Sequence, residues 1–68
     1  MKVNSSMTKD QIQKEIDRLK PILQEFNDEY VHYFARGLMI EAMESKHAAT
    51  CIFNEIGKLV RKKLAAPA

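Results

Sequence analysis

The chain has no tryptophan, one cysteine, and only two glycines and two prolines in 68 residues. The lone thiol, Cys51, excludes an internal disulfide, in a domain that buries only about 60% of the surface its unfolded form exposes. A core this small calls for association or a metal to become secure. No apolar run approaches the roughly 18 residues that would suggest a membrane span. A single thiol with no signal-peptide pattern suits a reducing compartment, so the expected location is cytoplasmic, without membrane contact. Neither charge sign prevails. Eleven Lys and Arg against nine Asp and Glu leave a formal +2, too little to make nucleic acid the automatic partner. A glycine-rich phosphate loop and a serine in an elbow context are both missing. Catalysis is therefore not expected.

What is present, 46% hydrophobic and 29% charged residues, describes one small soluble domain rather than two. The charge is uneven: residues 1–35 carry five basic and six acidic side chains, whereas residues 36–68 carry six and three. Residues 1–7, MKVNSSM, have no apolar period and are expected to form a disordered tail. Thr8 followed by Gln11 reads as a capping box, which starts a first helix at Lys9. From there Ile12, Ile16, Leu19, Leu23, Phe26, Tyr30 and Tyr33 recur at alternating spacings of four and three, the seam that lets one helix lie along another. The seam passes through Pro21, whose missing N–H and crowded ring predict a kink there. Gly37 is the expected turn, because glycine closes helices cheaply in the left-handed conformation.

A second helix is expected from 38 to 64, weakened only at Gly57. Leu38, Met39, Ala42, Ala49, Ile52, Phe53, Ile56, Leu59, Val60 and Leu64 project into one arc approaching half the circumference. One hairpin partner covers one side of a helix, so this arc predicts self-association. The fold class is all-α: an antiparallel αα-hairpin of two long helices over residues 8–64, associating into a four-helix bundle or larger helical oligomer, most simply a dimer. Residues 65–68 read as a frayed tail. The competing architecture breaks at Pro21 or near Asn27-Asp28 and folds three shorter helices into a monomer. In layout alone, with no shared motif, the hairpin resembles the small plasmid copy-number proteins of the ROP type, dimeric hairpins that bind paired RNA loops.

Two Glu-x-x-His pairs, Glu29 with His32 and Glu44 with His47, match the spacing that sets ligands on adjacent turns of di-iron bundles. That chemistry needs inward-pointing residues, and projection puts His47 nearly opposite Ala49 and Ile56, with His32 off the aromatic seam. Solvated faces are the expectation. His47 and Cys51 lie one turn apart, yet structural zinc takes four ligands, and the chain offers one cysteine and two histidines. A nucleophilic Cys51 with His47 as base lacks a pocket and an oxyanion site. No metal and no cofactor are expected.

Phe26, Tyr30, Tyr33 and Phe34 are four of the five aromatic residues, followed by Arg36. Such a cluster could stack a base or anchor a protein, but three of its members continue the seam, so core packing is expected, with Tyr33 at a surface or pocket rim. Lys58, Arg61, Lys62 and Lys63 complement the negative end of the second helix. The leading functional expectation is a small non-enzymatic helical oligomer that regulates or inhibits another protein, which it binds through the polar face of Glu44, His47, Cys51 and Glu55. The alternative is a nucleic-acid or small phosphorylated-nucleotide binder, using Lys58, Arg61, Lys62 and Lys63 with Arg36 and Tyr33 at an intersubunit groove.

Overall fold

The computed structural model describes residues 7–66, in which two helices, α1 (Lys9–Ala35) and α2 (Met39–Ala65), run antiparallel as a hairpin. The expected tails fall largely outside these residues. Met7, however, packs against the core, α2 ends one residue beyond Leu64, and Ala66 is half-buried.

Both ends of α1 are closed by the residues that the sequence singles out. The Thr8 hydroxyl accepts from the Gln11 N–H at 3.2 Å, and the Gln11 side chain accepts from the Thr8 N–H at 2.9 Å. Such a cap is worth about 1 kcal/mol. At the other end, Gly37 adopts φ +77°. Its N–H donates to the Phe34 carbonyl at 3.1 Å, while the Leu38 N–H reaches back to the Tyr33 carbonyl at 3.0 Å. This is the Schellman pattern, and the positive φ at its centre favours a residue without a Cβ.

Between these ends α1 is one helix that runs through Pro21. Pro21 is exposed, so its missing N–H and the freed carbonyl one turn earlier face water rather than the core. The chain does not reverse at Pro21 or at Asn27-Asp28, and the three-helix arrangement is not the fold. Replacing Pro21 with Ala is expected to stabilise the hairpin by about 2 kcal/mol, since proline in a helix interior costs about 3 kcal/mol and returns up to about 1 kcal/mol of that by stiffening the unfolded chain. Chemical denaturation checks it; a lower midpoint for the variant would contradict this account of the proline.

Every member of the α1 seam is covered to some degree. Ile12, Ile16 and Leu19 are buried, whereas Leu23, Phe26, Tyr30 and Tyr33 are half-buried. The α2 side is narrower than the arc read from the sequence. Ala42, Ser45, Ala49, Ile52, Ile56, Leu59 and Lys63, spaced alternately by three and four, form its buried and half-buried stripe, flanked by half-buried Ala48 and Gly57, while Leu38, Met39, Phe53, Val60 and Leu64 stay exposed. Two contacts between polar groups and a cation–ring contact fix one register along the hairpin. The Ser45 hydroxyl donates to Glu29 Oε1 at 3.2 Å, the Lys46 ammonium lies 5.7 Å from the centre of the Tyr30 ring, and the Lys63 ammonium donates to Gln13 Oε1.

That register sorts the core by size. At the open end Ile12, Ile16 and Leu19 cluster with Leu59, Ile52 and Ile56. Near the turn, the bulky Phe26, Tyr30 and Tyr33 fall in register with Ala42, Ser45 and Ala49, so large side chains meet small ones. On the solvent side Arg18 donates to Glu15 and holds its carboxyl below the ordinary carboxylate value. Arg18 is exposed and Glu15 half-buried at the helix surface, and so open a pair adds little to stability. Among the described residues, no helix is long and apolar enough to cross a membrane.

Candidate functional site

The outer face of α2, turned away from α1, carries Glu44, His47, Cys51 and Glu55, all exposed. Spacings of four and three keep them on one side of the helix, with Lys58 continuing the row. The Cys51 sulfur lies 3.7 Å from His47 Nε2, a contact within one turn.

At its turn end this polar face runs into apolar surface. An open groove is lined by Met39, Ile40, Met43, Glu44 and His47. Ile40 is 74% exposed and stands one turn before Glu44, so it is an apolar end to the polar row. Val31 and Phe34 of α1 are also exposed near the turn, and the Phe34 ring leans on Tyr30 with centroids 5.8 Å apart. Ile40 belongs to neither the core seam nor the charged residues, so the sequence pattern does not single it out. Its four-residue step to Glu44 was the available signal.

The groups proposed for phosphate binding are not gathered within one hairpin. Tyr33 is half-buried and lines a second open groove with Phe26, Glu29, Glu41, Glu44 and Ser45. Arg36 is exposed at the C-cap of α1. Lys58, Arg61, Lys62 and Lys63 sit near the opposite end, about 35 Å away along helices rising about 1.5 Å per residue. Lys58, Arg61 and Lys62 are exposed; Lys63 is half-buried and occupied with Gln13. Bringing the two groups together takes a second chain. The groove beside Tyr33, for its part, is bordered by three glutamates, an unfavourable field for an anion.

The two Glu-x-x-His pairs also point to different surroundings. Glu29 accepts from Ser45, and the His32 ring meets Tyr33 edge-on with centroids 5.6 Å apart. Glu44 and His47 border the apolar groove. Among the described residues no three His, Cys, Asp or Glu side chains come together as a group that could hold a metal ion.

An apolar anchor with a carboxylate and an imidazole at its rim is suited to recognising another protein surface, where desolvated side chains supply affinity and rim charges supply selectivity. Compared with protein-family models, curated proteins and solved structures, the chain finds no match.

Proposed function

We propose that this chain is a non-enzymatic helical regulator or inhibitor that binds another protein, and that it works as a homo-oligomer, most simply a dimer of hairpins forming a four-helix bundle. The observation that carries the reading is the amount of apolar surface the hairpin leaves uncovered. Ile40, Met43, Phe53 and Leu64 are each 59–80% exposed on α2 alone. Scattered apolar residues on a surface need no explanation, but a helix with this many asks for partners on more than one side. Self-association takes the exposed stripe of Met39, Met43, Phe53 and Leu64, which leaves Ile40, Glu44, His47, Cys51 and Glu55 for a different protein. The exposed Cys51 thiol favours a reducing, cytoplasmic setting for this work.

A second reading, binding of nucleic acid or a small phosphorylated nucleotide, draws on the exposure of Lys58, Arg61 and Lys62. One affinity-capture series from the native host separates the two. Under the protein-partner reading, the chain retains one protein at physiological salt. Ile40→Asp and Glu44→Lys each reduce that capture at least roughly tenfold while the oligomer persists. Replacing Lys58, Arg61, Lys62 and Lys63 by Gln leaves capture intact. Retention of nucleic acid that falls steeply with added salt, and disappears with the four-Gln variant, would overturn it in favour of the second.

A further inference from the structure

Beside the seam that meets α1, α2 carries a second one that α1 leaves largely uncovered, with only Gly57 half-buried on it. It runs from Met39 to Leu64 at alternating spacings of four and three, roughly 100° around the helix from the first. Its apolar members are exposed in the hairpin: Met39 at 49%, Met43 at 59%, Phe53 at 64% and Val60 at 41%. A four-three repeat sustained over more than three heptads is the pattern by which a helix packs along another helix.

We propose that a second copy of this chain covers this seam, its α2 antiparallel to the first, with the twofold axis passing level with the midpoint between Cys51 and Ile52. The inference rests on the self-association reading above and names the face and the register. About that axis the seam is complementary to itself. Met39 falls opposite the partner's Leu64, Met43 opposite the partner's Val60, Lys46 opposite the partner's Gly57, and Thr50 opposite the partner's Phe53. The longest side chain therefore meets the residue with none, and the aromatic ring meets a small threonine, the alternation that packed layers need.

Gly57 supplies an independent observation. A Cβ built there meets only Arg61 Nη1, at 4.0 Å, so nothing within the hairpin requires a glycine. Glycine in a helix interior costs about 1 kcal/mol relative to alanine. Close approach by another chain is a use for that gap, and the register puts Lys46 there. The Lys46 ammonium already points toward α1, over the Tyr30 ring, which leaves its aliphatic stem on the seam.

The other alignments are worse. Parallel pairing stacks Lys46 on the partner's Lys46 and leaves a hole where the two Gly57 positions meet. Sliding the antiparallel pair by one heptad strands either Met39 and Met43 or Val60 and Leu64 without a counterpart. The face is also large enough. The hairpin face that carries the seam, α1 included, is about 40 Å long and 17 Å wide, on the order of 700 Å² and close to the roughly 800 Å² per partner of a standard interface.

The register is tested by crosslinking full-length chains in a Cys51→Ser background. Met39→Cys and Leu64→Cys chains are refolded separately and as a mixture, then treated with a short bis-maleimide. Within one chain the two positions lie at opposite ends of α2, about 37 Å apart at 1.5 Å per residue, and so does each from its own copy in the dimer. The expected result is a linked heterodimer in the mixture at roughly ten times the yield of linked dimer from either chain alone. Self-linking of the Met39→Cys chain would show parallel pairing and overturn the proposal. Dimeric mass with no preferential link would show that another face is used. Monomeric mass in every sample would instead overturn the self-association reading itself. As a second readout, Gly57→Leu is expected to keep the helical signal and weaken association roughly tenfold or more; unchanged association would remove Gly57 from the interface.

Discussion

Leu59→Asp is expected to unfold the hairpin. Leu59 is 5% exposed and sits in the cluster of large buried apolar side chains with Ile12, Ile16 and Leu19. Removing the leucine forfeits about 2–3 kcal/mol of burial, and the aspartate adds either a buried charge without a cation or a raised pKa with an unsatisfied carboxyl. Net stabilities run at about 0.05–0.15 kcal/mol per residue, so a domain of this size has only several kcal/mol to lose. Loss of the far-UV helical signal at room temperature is the expected reading. Val31→Asp, at a position 62% exposed, should change stability by no more than about 0.5 kcal/mol. Native helicity and an unchanged melt for Leu59→Asp would mean that these four residues are not the core.

The second large effect concerns the uncovered side. Phe53→Lys combined with Val60→Lys places two cations on a stripe that is exposed within the hairpin, 64% and 41% respectively, so the helix pair itself has little to lose. Opposite a second copy, the same cations must be desolvated against Thr50 and Met43 of that copy without a carboxylate to meet them. The double variant is expected to have half the mass of the wild type in light scattering and a melting temperature that no longer rises with protein concentration. Unchanged mass would show that this stripe is not the contact between copies.

Much of the fold was legible because its signals are local. The Thr8–Gln11 box, Gly37 and the unbroken α1 seam set the helix bounds, and each works through neighbours within a turn or two. Pro21 did not interrupt the reading, since its register places it on the solvent side. The apolar width of α2 was legible only as a whole. A seven-residue repeat drifts about 20° per heptad on a straight 3.6-residue helix, so two adjacent seams projected at 100° per residue merge into one arc. The packing seam also contains Ser45 and Lys63, which a hydrophobicity pattern passes over.

Those two positions show what the sequence withholds. Ser45 is buried because it faces the bulky aromatic side of α1 and finds an acceptor in Glu29, a pairing that exists only once the hairpin register is known. Lys63 reads as one more cation at the end of a helix, yet it is half-buried and spans the hairpin to Gln13. The candidate site was legible in its charged half, Glu44, His47, Cys51 and Glu55, because heptad spacing keeps those residues together. Its apolar end at Ile40 emerges only where the turn leaves α2 without cover.

Self-association of the hairpin is the central proposal. Sedimentation equilibrium of the wild-type chain at physiological salt, across a concentration range that reaches down to the micromolar level, tests it most directly. The predicted mass is 15.6 kDa, twice the 7.8 kDa of one chain, with helicity retained at every concentration where that mass holds. A fully helical, cooperatively melting species fixed at 7.8 kDa throughout the range would contradict it.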